Sequence, residues 1–254
     1  MTRALFGASV VILVIVFHAF NLFADASSDS TSTASQRLSD QAQAGQGQGS
    51  ITRFCVQVTD LHISSRTPNT RAEDLMHLVA FLQTVTSPQA PLCLIVSGDM
   101  TDAKKGALLG GQLSEEWEAY GKIVKAVRNS GGLVLDIPGN HDRFGVGGQS
   151  AASDPFRLHS ASGQANRSRV FSERVGGALL VGVDLAPLPG PNWPLNFFGV
   201  AYESVLEELD QVLAQEASVK VVFGHYPLNT VVHPDGALRL TNVLQRRHVA
   251  AYLS

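Results

Sequence analysis

Four apolar runs, spread over most of this chain, each break off at a small cluster of residues able to bind a metal ion. The first run ends in Asp60-Leu61-His62, and the second in Gly98-Asp99 with Asp102 close by. The third ends in Gly139-Asn140-His141-Asp142, and the fourth in Gly224-His225. In open α/β sheets, sites form in the crevice beyond the carboxyl ends of the strands. Strands lying side by side would therefore bring these clusters together, although they are far apart in sequence.

Strand and helix patterns alternate around the clusters. Phe54 to Thr59, Leu92 to Ser97, Leu133 to Ile137 and Val219 to Phe223 read as short buried strands. Between the first two, Arg71 to Val85 places Leu75, Leu78, Val79, Leu82 and Val85 on one face of a helix. Ser114 is expected to open a second helix as its N-cap, with Trp117, Tyr120, Val124 and Val127 as the buried stripe. Arg169 to Glu173 and Ala178 to Val183 flank Gly176-Gly177 as a hairpin. A third helix spans Glu203 to Gln215, and Val249 to Leu253 begins a further strand. This alternation predicts a layered α/β domain.

The segment ahead of that domain has a different character. Arg3 precedes an almost wholly apolar stretch from Ala4 to Phe17, and Ala24-Asp25-Ala26 matches a small-x-small cleavage site. Residues 1–26 thus read as a signal peptide, or as an uncleaved signal anchor if the weaker apolar stretch to Phe23 is included. Either reading puts the rest of the chain on the non-cytoplasmic side, in the secretory pathway, with the amino-terminal segment as the sole membrane contact. Asn166-Arg167-Ser168 is a glycosylation sequon that suits that side. Residues 27–50 are Ser, Thr, Gln, Gly, Ala and Asp with few large apolar groups, a composition that cannot offset chain entropy, and they read as a disordered linker. The folded domain is expected over 51–254.

Two cysteines are too few for a disulfide framework, and each sits inside an apolar run. Cys55 and Cys93 are read as inert core thiols, with a bond between them left open. Lys and Arg number 19 against 22 acids and do not cluster beyond short pairs, so there is no nucleic-acid-binding signature.

The local spacing of the clusters suits metal chemistry. Residues two apart in an extended segment face the same side, so Asp60 and His62 can grip one ion together. Glycines before Asp99, Asn140 and His225 permit sharp turns and close backbone approach. Carboxylate, amide oxygen and imidazole form a mixed donor set suited to Zn, Mn or Fe. Taken singly, each cluster could be an ordinary cap or turn; their joint occurrence after four strands favours a site.

The blocks DLH, GDMTD, GNHD and GH, in this order and after strands, resemble the calcineurin-like metallophosphoesterases. The loop from Gly190 to Gly199, with DIPGNHD before it, is similar to the transmembrane protein 62 branch of that family. The resemblance implies a layered α-β-β-α sandwich and a hydrolase of phosphate esters that uses a hydroxide activated by two divalent or trivalent metal ions. By the same resemblance, Asp60 and His62 would bind the first ion, Asp99 would bridge both, and Asn140 and His225 would bind the second. His141 would protonate the leaving oxygen or stabilise charge on the phosphate.

The family pattern closes with a Gly-His-x-His block after another strand, and this chain ends at Ser254 where that block would begin. The expectation is thus an incomplete domain, with part of the second sheet and one ligand per ion missing. The rival reading is a catalytically silent member acting as a binding module, or a fragment of a longer active enzyme. Asp102 and Asp142 are expected to hydrogen-bond backbone or to support the ligands from behind. Asp184 is expected to cap a turn, His77 to face solvent, and Phe197-Phe198 to pack their loop against the domain.

Overall fold

The structure is a computed structural model that describes residues 11–19, 51–65, 71–86, 91–104, 111–147, 154–188, 190, 197–234, 236 and 238–254. Two four-stranded sheets form its frame. The first contains β1 (Val11–Ala19), β2 (Ile51–Thr59), β3 (Cys93–Ser97) and β4 (Leu133–Ile137) in that spatial order. β2, β3 and β4 run parallel, so their carboxyl ends share one edge. The second sheet has the order β10-β8-β6-β5, built from β5 (Val170–Val175), β6 (Ala178–Val183), β8 (Val219–Phe223) and β10 (Ala251–Leu253). Here β6, β8 and β10 are parallel, and β5 pairs with β6 as the antiparallel arm of the expected hairpin.

Parallel strands need crossovers, and in each sheet these are amphipathic helices laid on the outer face. α1 (Arg71–Val85) and α2 (Ser114–Asn129) bury Leu75, Val79, Trp117, Tyr120 and Val124 against Val56, Val58, Leu94 and Val96. α5 (Glu203–Leu213) and α6 (Leu240–Arg246) bury Leu206, Leu209 and Val243 against Leu179, Val181 and Val222. The inward faces meet in a third cluster, with Ile95, Leu135 and Ile137 from one sheet against Leu180, Val221 and Phe223 from the other. Alternate residues of a strand face opposite layers, which explains why β3 and β6 are buried on both sides and read as unbroken apolar runs. The result is the α-β-β-α sandwich, with β10 at the edge of its second sheet.

Short elements complete the fold. α3 (Pro155–His159) and α4 (Ala161–Gln164) had no periodic signal because each spans little more than a turn. β7 (Gly199–Val200) and β9 (Val231–Val232) make a separate two-stranded pairing.

Val11–Ala19, inside the segment read as a signal peptide or anchor, forms a strand that pairs antiparallel along all of β2. Its sequence VILVIVFHA is dominated by β-branched residues, which suit a strand. The cleavage triad and the linker 27–50 lie outside the described residues. Among the described residues, no helix is long and apolar enough to cross a membrane. The cysteines are not free thiols: Cys55 and Cys93 are disulfide-bonded. They stand directly abreast in the β2–β3 register with Cα atoms 4.5 Å apart, a spacing within the range a disulfide spans. Ser114 is the first residue of α2 and not its cap; Leu113 occupies that position with no side-chain bond.

Candidate metal centre

The carboxyl ends of β2, β3 and β4 are tied together before any side chain is considered. Asp60 donates its backbone N–H to Gly98 O at 3.2 Å, His62 to Asp99 O at 2.9 Å, and Ile63 to Met100 O at 3.0 Å. The segments after β2 and β3 thus continue side by side past the end of the sheet. Glu116 of α2, 1% exposed, holds both from behind, accepting from Ser65 N at 3.1 Å and Ala103 N at 2.9 Å. Asp142 does the same for the third segment: its buried carboxylate accepts from Met100 N, Thr101 N and Gly139 N at 2.8 to 3.2 Å. Burial pushes the Asp142 carboxyl upward, and the nearby Asp99 charge adds to that.

Backbone strain is concentrated here. Asp60, His62 and Asp99 have φ of 54°, 45° and 51°, a left-handed region costly for such residues. Each turn aims a side chain at a common point. Asp99 lies at the centre, 3% exposed, with Oδ2 3.5 Å from His62 Nε2 and Oδ1 3.5 Å from His225 Nε2. Asp60 Oδ1 is 3.7 Å from the same His62 nitrogen. His225, delivered by β8 of the second sheet, has Nε2 2.8 Å from Asn140 Oδ1 and Nδ1 3.0 Å from Ser97 O. Glycines make this proximity possible: Gly98 has φ +92°, and a Cβ there would collide with the His225 ring. A Cβ on Gly139 would collide with Asp99 in the same way.

The five sequence-predicted ligands, Asp60, His62, Asp99, Asn140 and His225, are therefore gathered in one place. His141 joins them, its ring 4.4 Å from that of His62, edge to face, and its backbone N–H on Asp99 Oδ1 at 2.9 Å. Two donor groups emerge, Asp60-Asp99-His225 and His62-Asp99-His141, with ligand atoms mutually within 4.8 Å. The two share Asp99, the position expected to bridge. His141, expected beside the ions without ligating, is here close enough to serve as a donor.

The donor set fits divalent cations. A neutral imidazole has one N–H, yet both nitrogens of His225 face oxygens. The carbonyl of Ser97 accepts from Nδ1, so in the neutral ring the Nε2 lone pair is turned toward Asn140, whose amide oxygen can join it on a cation. Burial works against the charged form of His62, but the carboxylates of Asp102, Asp60 and Asp99 outweigh it and raise its pKa to about 9. Burial likewise opposes the ionised form of Asp102, and His62 with Lys104 overcomes it, lowering the pKa to about 2. So much negative charge converging on one imidazole is what a cation site requires.

Asp102 supports from behind, as expected: its carboxylate lies 3.5 Å from His62 Nδ1, and its carbonyl accepts from His141 Nδ1 at 2.7 Å. Asp184 caps a turn by accepting from Ala186 N, and it also takes Arg143 at 3.1 Å. His77 is exposed. Phe197 and Phe198 depart from expectation, being each 53% exposed and not packed away. Sequence reading overlooked Glu116 and the buried Arg143, bonded to Asp154 and Asp184, because a charged residue inside an α/β core has no local signature. Asn166, exposed at φ 50°, sits in the turn after α4.

With the geometry known, the chain compares with other proteins as follows. A family model described as calcineurin-like phosphoesterase matches residues 55–254. An Arabidopsis thaliana protein bearing a metallophosphoesterase name is 31% identical over 218 residues, 79% of this chain and 28% of that protein. Transmembrane protein 62 of Mus musculus is 30% identical over 189 residues, 72% of this chain and 29% of that protein. The chain thus spans less than a third of the length of either relative. A solved protein-tyrosine phosphatase from a psychrophilic Shewanella superposes with a TM-score of 0.29 at 14% identity, over 71% of this chain and 70% of that one, a likeness too loose to bear on fold or function.

Proposed function

The chain belongs to the calcineurin-like phosphoesterase family, and from that membership and the donor cluster we propose that it is a hydrolase of phosphate esters working with two divalent cations. Asp60, His62, Asp99, Asn140 and His225 would hold the ions, with Asp99 shared between them. Bound there, the cations would supply positive charge for the developing phosphorane-like transition state and lower the pKa of attacking water to about 7. The observation that carries this reading is the central Asp99, each carboxylate oxygen turned toward a different histidine.

The chain's own residues do the rest. Strained turns at Asp60, His62 and Asp99 keep the donors in place before substrate arrives, so little reorganisation is needed at the moment of reaction. His141 donates Nδ1–H to the Asp102 carbonyl, which fixes the ring with Nε2 toward the site, where the imidazolium form would hand its Nε2 proton to the departing alkoxide and be left as the neutral Nδ1–H tautomer. The Phe144 ring, 4.7 Å from His141, covers another part of it. The disulfide between Cys55 and Cys93 supports an oxidising compartment, in keeping with export through the secretory pathway and with a glycan at exposed Asn166.

The test is hydrolysis of an aryl phosphate by the purified chain with added Mn or Zn, alongside metal analysis. Asp99→Asn is expected to lose bound metal and turnover together. His141→Ala is expected to keep metal and lose about 10²- to 10⁴-fold in kcat. Metal bound without any turnover would support the silent binding module instead, and no metal uptake at all would refute the two-cation hydrolase.

A further inference from the structure

The His141–Arg143 turn is gripped by a side chain from a distant segment. Gln112, the residue before the N-cap of α2, donates Nε2 to His141 O and to Phe144 O, both at 3.0 Å. Its Oε1 accepts from Trp117 Nε1 at 2.7 Å. A primary amide carries two N–H donors; here each goes to a different carbonyl, while the oxygen takes the indole proton. Turning the amide over would set N–H against N–H and oxygen against two carbonyls, so its orientation is determined. An ionised carboxylate of the same shape has no proton to give and cannot replace it.

Both ends of this clasp are anchored. Trp117 is fully buried, its ring edge-on to Tyr120 and Phe156. On either side of Gln112 the backbone is tied, with Gly111 N donating to Ala103 O at 2.7 Å and Leu113 O accepting from Glu116 N at 3.2 Å. Across the clasp, Phe144 N also donates to His141 O at 3.2 Å, and the buried Phe144 ring lies against the His141 ring. The imidazole itself is held by one bond, from Nδ1 to Asp102 O at 2.7 Å. That carbonyl belongs to another segment, tied to β2 by Asp102 N on Ile63 O at 2.9 Å. Hydrogen bonds weaken steeply with misalignment, so a small shift of the turn against that segment would break this one.

We propose that Gln112 is a positioning residue for His141. By holding the His141 and Phe144 carbonyls to the rigid start of α2, its amide keeps the imidazole aligned with the Asp102 carbonyl. The ring then stays the Nδ1–H tautomer when neutral, with Nε2 directed to the leaving oxygen. The consequence for catalysis rests on the phosphatase reading; the tautomer does not.

Two measurements test it. In the metal-free chain, long-range nitrogen–proton NMR spectra at a pH where the ring is neutral report which nitrogen of His141 carries the proton. The parent chain is expected to show Nδ1–H. Gln112→Leu is expected to show a mixture of tautomers, and so is Gln112→Glu, which keeps the acceptor for Trp117 and loses both donors. Tyr120→Phe removes a buried bond from the same helix to Asp136; it is expected to lose stability and leave the tautomer as it was. With Mn present, kcat is compared on phenyl phosphate, whose leaving group needs a proton, and on 4-nitrophenyl phosphate, whose leaving group departs readily as the anion. Gln112→Leu is expected to lose about 10²-fold on the first and far less on the second, with KM and metal content unchanged. Combined with His141→Ala it should cost nothing further. A parent ring without the Nδ1 proton, or an unchanged tautomer in both Gln112 variants, would overturn the proposal. So would an equal loss on both esters in Gln112→Leu alongside a selective loss in His141→Ala. A tautomer shift in the Gln112 variants, with His141→Ala losing equally on both esters, would count against the acid role of His141 alone and uphold the positioning.

Discussion

Gly98 offers the sharpest probe of how this centre is built. In Gly98→Ala two penalties fall on one methyl group. The first is conformational: φ of +92° is a region L-residues rarely adopt, worth about 1–2 kcal/mol. The second is contact: the new Cβ would lie 2.5 Å from His225 Nδ1 and 2.6 Å from Cγ, where ordinary contact needs about 3.5 Å or more. The imidazole must therefore retreat by roughly 1 Å. That retreat disrupts the Nδ1–H bond of His225 to Ser97 O and its approach to Asn140. Displacement of a reacting group on this scale costs about 10²-fold in rate. Gly131 supplies the control, because it has φ +77° and no atom within 4 Å of its would-be Cβ. Gly131→Ala should thus carry only the conformational cost. Urea unfolding is expected to show both variants destabilised by about 1–2 kcal/mol, with Gly98→Ala lower still. Metal content and aryl phosphate hydrolysis should fall in Gly98→Ala alone. If Gly98→Ala binds metal and turns over like the parent chain, His225 does not lie against Gly98, and the centre is not assembled as described.

Metal uptake should be coupled to a proton. The folded pKa of His62 stands at about 9 against an ordinary 6.5, so near pH 7 the metal-free ring is charged and must release its proton to a cation. Affinity for Mn or Zn is expected to rise about tenfold per pH unit from 7 to 9 and then level off, and calorimetry in two buffers of different ionisation enthalpy should report one proton released; equal heats in both would refute this. For the metal-free fold the sign is opposite: a raised pKa means that His62 contributes stability in full below about 6.5, lost as pH climbs through about 9. Reduction of the Cys55–Cys93 bond, which closes a loop with a sequence separation of 38, is expected to cost about 2–4 kcal/mol in urea unfolding, and an unchanged midpoint with dithiothreitol would refute it.

Much of this protein was legible before any coordinates. Residues Arg71–Val85, Leu133–Ile137, Ala178–Val183 and Val219–Phe223 fold as their periodicity and β-branched content predict, because those signals are local. The candidate ligands were legible for a related reason: a strand's carboxyl end is marked in sequence by where its apolar run stops, and parallel strands share that end. What the sequence left open depends on register and approach between segments. Cys55 and Cys93 look alike whether bonded or free until β2 and β3 are aligned residue against residue. Leu113, and not Ser114, is the N-cap of the helix, and the segment just before it is tied to Ala103 by the Gly111 N–H to Ala103 O bond. The clasp of Gln112 on the His141–Arg143 turn is invisible in the one-dimensional record, since the two segments meet only when α2 packs against the first sheet. Sequence by itself determined which chemical groups this chain can present; the distance and orientation at which they oppose one another were decided by tertiary packing, because Coulomb and coordination forces act across space and are indifferent to separation along the chain.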